Sequence, residues 1–149
     1  MTYFEGFITP VRATDKEAYR THAKKFAGFA KEFGIQRMTE CWADEVPHGK
    51  VTDFYRAVDS NEDETVVFSW FEYPSKTERE AANQKFQNDP RMKDMMSDMP
   101  FDAKRMIFGG FDSIVEAGKG PGTYVNGFIA PVPKANKEAY REMTERQRR

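Results

Sequence analysis

The sequence predicts an α+β fold whose elements follow the order β-α-β-β-α-β, which is the ferredoxin-like split arrangement. Three observations lead to this prediction. Residues 2–11 and 64–73 have the aromatic and β-branched composition of strands. An amphipathic stretch with helical spacing follows each of these two segments. A further strand-like segment comes after each helical stretch, as the split β-α-β arrangement requires.

The first strand, residues 2–11, contains Pro10 near its end, where a strand can leave its sheet. Thr14 or Asp15 is suited to cap the helix that follows. Gly34 is expected to end this helix. Its aromatic face is formed by side chains at three- and four-residue spacing, which are Tyr19, His22, Phe26, Phe29 and Phe33.

The next two strands differ in how deeply they are expected to lie. Residues 35–46 alternate in polarity and predict a strand with two different faces. The segment from Val51 to Val58 is expected to add a short extended piece. Residues 64–73 are apolar on both faces, which predicts a strand in the middle of the sheet.

The remaining elements complete the order. A second helix is predicted from Pro74 to about Asn88, and Asp89-Pro90 begins a methionine-rich helical segment. Residues 103–115 supply the last strand. The pair Gly109-Gly110 within it predicts a bulge or the close approach of another backbone.

The chain begins its pattern again near its end. Residues 123–141 match residues 2–20 at 12 of 19 positions, at a constant offset of 121 and without a gap. Such a match indicates duplication and predicts a strand at 123–132 and a helix from about residue 136. The predicted organisation is a complete domain at 1–118, a glycine-rich linker at 119–122 and a partial repeat of the first strand and helix at 123–149.

The composition narrows the range of partners. The 23 basic and 24 acidic residues are interspersed, without the basic stripe that nucleic-acid binding requires. The single cysteine, Cys41, excludes an internal disulfide and favours a reducing compartment. No apolar run approaches the roughly 20 residues that span a bilayer. We therefore expect a cytoplasmic protein without nucleic-acid or membrane partners.

Three stretches and the opening motif resemble a known family. They are Glu40-Cys41-Trp42-Ala43-Asp44-Glu45-Val46-Pro47, Thr65-Val66-Val67-Phe68-Ser69-Trp70 and Asp89-Pro90-Arg91-Met92, with the opening Gly6-Phe7-Ile8-Thr9-Pro10-Val11. These residues are similar to the YbaA-like family of uncharacterised bacterial proteins, over essentially all of residues 1–118. The resemblance implies a dimeric α/β barrel, in which two ferredoxin-like subunits pack their sheets together. It implies no established activity and no catalytic residue.

His22 lies on the apolar face of the first predicted helix. It could point into a ligand cavity and act there as a base or a ligand. A partly buried histidine that bonds a backbone carbonyl is the more common situation, and we favour it. The chain has no HxH, HExxH or CxxC spacing, so we expect neither a metal site nor a cofactor.

Glu40, Trp42 and Asp44 fall on one face of the second strand. They could form the polar end of an aromatic pocket, where a buried carboxyl group would have a raised pKa and could move protons. The alternative, which we favour, is a dimer contact anchored by Trp42. Cys41 faces the other way and is expected to be a small buried residue. Trp70 is a further candidate for the wall of a closed apolar cavity.

Arg105 lies near a predicted strand boundary, close to Asp102 in the sequence. It could bind an anion, but a structural ion pair explains it more simply. The methionines between Met92 and Met106 suit a flexible lid over an apolar ligand, and equally a filler of the core.

Two functions are compatible with these observations. The first is a domain that binds or transforms a small apolar molecule in the barrel, and the sequence leaves open whether it is an enzyme. The second is a non-enzymatic assembly module, in which residues 123–132 pair with a strand in cis or in a neighbouring chain. Both predict self-association as a homodimer or a higher oligomer.

Overall fold

The computed structural model describes residues 2–120 and 122–147. Pro121 of the predicted linker and residues 148–149 of the predicted repeat lie outside them. The strands are β1 (Tyr3–Arg12), β2 (Arg37–Trp42), β3 (Glu64–Tyr73) and β4 (Ile107–Asp112). The helices are α1 (Lys16–Ala30), α2 (Phe54–Ala57), α3 (Lys76–Asn88), α4 (Pro90–Ser97) and α5 (Lys137–Gln147). None of the helices in the described residues combines the length and the apolar character needed to cross a membrane.

The four strands form one sheet in the order β2-β3-β1-β4, and every neighbouring pair is antiparallel. The two central strands pair along their whole length, from Tyr3 opposite Tyr73 to Arg12 opposite Glu64. Because the helices after β1 and β3 return the chain across one face, β2 and β4 become the outer strands. This is the ferredoxin-like order, so the predicted fold class and the central position of residues 64–73 are confirmed.

The aromatic face of α1 packs on the sheet. Alternate residues of β1 and β3 point towards the helices, as the pleat requires, and among them Val11 and Tyr73 are completely buried. Phe26 of α1 stacks on Phe71 of β3, with ring centroids 5.4 Å apart and the ring planes inclined by 10°. The core therefore lies between the sheet and its helical layer.

The opposite face of the sheet is only partly covered. Ile8, Val66 and Phe68 pack there against the connection between β2 and β3. Part of this connection, predicted as an extended piece, instead forms α2. The helix forms because the carboxylate of Asp53 accepts a hydrogen bond of 2.7 Å from the backbone N–H of Arg56, which caps the helix.

β4 is shorter than predicted and contains no bulge. Its register with β1 is unbroken through Gly109, opposite Gly6, and Gly110, opposite Glu5. The close approach at this pair comes from a side chain, because a Cβ at Gly110 would meet the hydroxyl group of Tyr3. The glycine therefore lets the buried Tyr3 lie across β4.

The partial repeat reproduces the helix of the first copy but not its strand. Residues 123–132 pair with no strand among the described residues, in contrast to the prediction. The 3₁₀ turns Ala13–Asp15 and Lys134–Asn136 precede α1 and α5 with the same offset of 121. The residues before these turns have nearly equal dihedral angles, φ −58° and ψ 136° at Arg12 against φ −55° and ψ 137° at Pro133.

The beginning of the repeat lies on the sheet face that is turned away from α1. The hydroxyl group of Tyr124 donates a hydrogen bond of 2.8 Å to the carboxylate of Asp44. Gly127 lies directly against the ring of Phe68. We call residues 123–128 the cover segment, because they shield part of this apolar face.

Candidate functional site

A cavity of about 310 Å³ lies between the sheet and the helical layer. This volume is at the lower end of the range of small-molecule sites. Most of its wall is apolar and is formed by Phe7, Phe26, Phe71, Phe86, Met92, Met95, Met96, Met99, Phe101 and Met106. Met92 and Met95 are buried in the core, as predicted for a filler, while Met96 is 65% exposed.

The polar part of the cavity is centred on Tyr19 and Glu40. The Tyr19 hydroxyl group donates a hydrogen bond of 2.7 Å to Oε2 of Glu40. Tyr19 comes from α1 and Glu40 from β2, and both line the cavity together with Thr9 and Ser69 of the central strands. The alternation of β2 turns Glu40 towards the helices, where the aromatic face of α1 places Tyr19 opposite it.

The electrostatic environment gives the two groups different roles. Burial raises the pKa of Glu40, while hydrogen bonds from Tyr19 and Ser69 act in the opposite direction. Burial raises the pKa of Tyr19 far above its usual range, and the charge of Glu40 raises it further. Tyr19 therefore remains a hydrogen-bond donor, and Glu40 is the acceptor of the pair, with its pKa raised above the ordinary carboxyl value.

His22 lines the same cavity, with its ring edge-on to Phe101 at a centroid distance of 6.0 Å. Burial and the charge of Lys25 lower the pKa of His22, while Asp98 acts in the opposite direction. His22 is therefore predominantly neutral at pH 7. The fold thus brings His22 and Glu40, two residues singled out in the sequence, to one site.

The other three aromatic and acidic candidates lie elsewhere. Trp42 shares the sheet face of Glu40, as predicted, but packs on Tyr19 with ring centroids 6.4 Å apart. Asp44 follows the end of β2 and bonds the cover segment. Trp70 points to the opposite face of the sheet, where its Nε1 donates to Glu72 at 3.1 Å.

Arg105 forms the ion pair that the sequence favoured. Its guanidinium group pairs with Glu64 at 2.6 Å and with Asp102 at 3.0 Å, and it also donates to the carbonyl oxygen of Asp59. Every nitrogen of the group is engaged in this way. Arg105 consequently joins the first residue of β3 to Asp102 and to the turn at Asp59.

Sequence analysis did not single out Tyr19, Thr9 and Ser69 as parts of the site, nor a further cavity residue, Glu5. Glu5 is 5% exposed and pairs with Nε of Arg79 at 2.5 Å. A recognisable signal was present, because Glu5, Thr9 and Ser69 interrupt otherwise apolar positions of the central strands. Which of these positions meet at one place depends on the pairing of the strands.

In the part of the chain that the structure describes, no group of three or more His, Cys, Asp and Glu residues is placed to hold a metal ion. Burial and the charge of Glu40 raise the pKa of Cys41, so its thiol is protonated at neutral pH.

The fold and the site define an α+β protein that carries a small-molecule-sized cavity, with a hydrogen-bonded carboxyl group, under its helical layer. The family described as "Protein of unknown function (DUF1428)" matches residues 2–103, and the chain belongs to this family. The match ends before the partial repeat begins.

Individual relatives support the same assignment. The chain is 59% identical over 116 residues to "Uncharacterized protein YbaA" of Escherichia coli strain K12, covering 78% of this chain and 99% of the relative. It is similar to the same extent to YbaA of Shigella flexneri. A solved structure, a dimeric ferredoxin-like protein from an uncultured marine organism, is 12% identical with a TM-score of 0.45, over 78% of this chain and 100% of that one. The family match and the YbaA relatives confirm the family resemblance seen in the sequence motifs.

Proposed function

We propose that this protein binds a small, largely apolar molecule in the cavity between the sheet and the helices, and that Glu40 exchanges a proton with it. The observation that carries the proposal is the Tyr19–Glu40 pair, which lies in the wall of a largely apolar cavity. The sequence hypothesis placed such a ligand in a barrel between two subunits. The proposed site instead lies within one chain.

The chemistry of the pair supports a functional role. A carboxyl group in an apolar core costs free energy relative to an apolar side chain of similar volume, so packing alone does not explain its presence. A raised carboxyl pKa brings the group nearer to neutral pH, where an acid or base is most effective. Tyr19 fixes the orientation of Glu40. The reaction class that fits is proton transfer to or from a carbon or oxygen atom of a bound molecule.

Binding can be tested with a neutral probe of suitable size, naphthalene-1-methanol, by isothermal titration calorimetry. Ala23 lines the cavity, whereas Ala27 lies exposed on the same helix. We expect Ala23→Leu to weaken binding by about tenfold or more, because the larger side chain fills the cavity, which corresponds to about 1.4 kcal/mol. The matched Ala27→Leu variant should bind as the unaltered chain does. Equal affinities of the two variants would contradict a ligand site in this cavity.

The proton-exchange part of the proposal needs a separate readout. A bound reporter whose colour or fluorescence depends on its protonation, such as a naphthol, should change its apparent pKa on binding. Glu40→Gln should remove most of this change, because the amide cannot accept or release a proton in this range. Glu17, an exposed carboxylate of α1, supplies the matched Glu17→Gln control. An unchanged apparent pKa in Glu40→Gln would exclude Glu40 as the exchanging group.

We propose self-association as a second function, with the uncovered sheet face and the outer side of the repeat as the contact. Large apolar side chains are exposed on both parts, among them Ile107, Phe111, Phe128 and Ile129. Phe128 is 84% exposed and Phe111 is 59% exposed. Adjoining apolar side chains of this size are typical of surfaces that bind another protein. In this proposal residues 1–118 are the folding unit and residues 123–149 contribute to the contact with a second copy.

A further inference from the structure

We infer that the cavity selects an apolar molecule that carries a protonated amine, and that the amine binds beside the carboxylate of Glu40. The inference rests on the proposed function and specifies the chemical class of its ligand. Three observations support it: the charge of the cavity wall, the partners of its two carboxylates and the aromatic rings around them.

The wall carries acidic groups without a basic counterpart. Among the described residues that line the cavity there is neither a lysine nor an arginine, whereas two glutamates are present, Glu5 and Glu40. His22 adds no positive charge at pH 7, because burial and Lys25 keep its pKa low. An anionic ligand would therefore meet only repulsion from the ionised groups of the wall.

The two carboxylates differ in what neutralises them. Glu5 is paired with Arg79 at 2.5 Å. Glu40 accepts a hydrogen bond from the Tyr19 hydroxyl group at 2.7 Å, and no lysine, arginine or histidine of the described residues lies within 4.0 Å of its carboxylate. Lys16, from the start of the same helix as Tyr19, instead lies over the ring of Trp42, 5.9 Å from its centroid. The charge of Glu40 is therefore the one in this wall that lacks a cationic partner.

A ligand ammonium group would supply that partner. In an apolar surrounding, a charge-assisted hydrogen bond between an ammonium group and a carboxylate is stronger than a bond between neutral groups. The rest of such a ligand would lie among aromatic rings and methionine sulfur atoms, and the faces of phenylalanine rings attract cations. Phe7 and Phe71 meet here with ring centroids 4.8 Å apart. The volume of about 310 Å³ limits the apolar part to about one bicyclic ring system.

A set of three ligands with one ring system tests the charge preference. Naphthalen-1-ylmethylammonium, naphthalene-1-methanol and 1-naphthoate share the bicycle and differ in carrying a positive charge, no charge or a negative charge. Binding of each to the full chain would be measured by isothermal titration calorimetry at pH 7. We expect the ammonium compound to bind at least about tenfold more tightly than the alcohol, and the carboxylate to bind most weakly.

Two variants assign the preference to a residue. Glu40→Gln should bring the affinity for the ammonium compound down to the affinity that the same variant has for the alcohol. Glu17→Gln, on the exposed side of α1, should keep the order of the three ligands. The order in the unaltered chain decides the inference even if Glu40→Gln does not fold.

The outcomes separate the inference from the function on which it rests. If the alcohol or the carboxylate binds as tightly as the ammonium compound, the charge preference is overturned while the cavity remains a ligand site. An ammonium preference that survives in Glu40→Gln overturns the assignment to Glu40. If none of the three ligands binds to the unaltered chain, or if Ala23→Leu leaves the affinity of those that bind unchanged, the proposed function itself fails.

Discussion

In the proposed function Glu40 is the proton-exchanging residue, because it combines burial with a polar environment made of hydroxyl groups. Its side chain accepts from Tyr19 and Ser69, and both hydrogen bonds favour the carboxylate, but the effect of burial is larger and the pKa is raised. In the proposed function, the protonation of such a group depends on the charge of the bound ligand. A neutral ligand favours the protonated form, and a cationic ligand favours the carboxylate.

The raised pKa of Glu40 makes a prediction for stability against pH. In the unfolded chain Glu40 has its ordinary pKa of 4.5, so it loses its proton at a lower pH than in the folded chain. Between these two pKa values a rise in pH lowers the free energy of unfolding. The Glu40→Gln variant has no carboxyl group at this position, so its free energy of unfolding does not fall in this way. We therefore expect the free energy of unfolding of the variant, relative to the unaltered chain, to increase from pH 4 to pH 8.

Urea unfolding at several pH values would measure this difference. Carboxyl groups with lowered pKa values, such as those of Asp53, Glu64 and Asp102, act in the opposite direction but are present in both proteins, so their effect cancels. A difference that is constant with pH would show that the pKa of Glu40 is not raised in the folded chain.

The buried pair of Glu5 and Arg79 makes a second prediction at this scale. Arg79→Met leaves the carboxylate of Glu5, which is 5% exposed, without its partner, and should lower the free energy of unfolding by about 3 kcal/mol. Arg12→Met removes an exposed pair with Asp15 and should change it by less than about 1 kcal/mol. Denaturant unfolding of both variants measures the contrast, and equal effects would contradict it. Adding Glu5→Gln to Arg79→Met should restore part of the loss.

Among the elements, the repeat shows how differently helices and strands depend on their surroundings. α5 and its preceding turn form as α1 and its turn do, because a turn and a helix satisfy their hydrogen bonds within the segment. Residues 123–132 resemble β1 in sequence, but they cannot take its place between β3 and β4, because both strands already pair with β1 itself. The segment instead lies on the sheet through Tyr124 and Gly127.

The contact between the cover segment and Phe68 can be tested by a substitution at Gly127. A Cβ at Gly127 would approach the ring of Phe68 to between 3.1 and 3.3 Å, which is closer than ordinary contact. Gly127→Ala should therefore loosen the segment and raise the hydrogen-exchange rates of the amides of residues 123–128 severalfold, with a change in global stability below about 0.5 kcal/mol. At Gly122 a Cβ would have only an ordinary contact of 3.8 Å with Tyr124, so Gly122→Ala is the matched control. Identical exchange in both variants would show that the segment does not rest on Phe68.

For the whole molecule, the proposed self-association predicts that the repeat contributes to a dimer. Native mass spectrometry would compare the full chain with a chain ending at Gly118. This end keeps Glu116, which accepts hydrogen bonds from Thr2 and Ser113 and so anchors the first strand. We expect a dimer of the full chain and a larger monomer fraction, at equal concentration, for the shortened one, because apolar side chains such as Phe128 are lost from the contact. If both chains have the same stoichiometry and dissociate equally, the repeat does not contribute to the dimer contact.

Only some of the residues of the candidate site could be predicted from the sequence. Helical spacing placed His22 on the face of α1 that packs on the sheet, and strand alternation placed Glu40 and Trp42 on one face of β2. It could not show that Tyr19 meets Glu40, because a helix and a strand 21 positions apart in the chain are brought together only by packing. It also could not show that Trp70 faces away from this cavity, since an apolar central strand carries no polarity pattern to distinguish its faces.

The sequence by itself determined the β-α-β-β-α-β order of the main elements, the family and the helix of the repeat, because these follow from local spacing and motif residues. The tertiary structure decided which side of the sheet holds the cavity and which polar groups meet in it. It also decided that the second copy of the β1 sequence remains unpaired. The physical reason is that a helix closes its hydrogen bonds within itself, whereas a strand and a cavity exist only through residues that are distant in the chain.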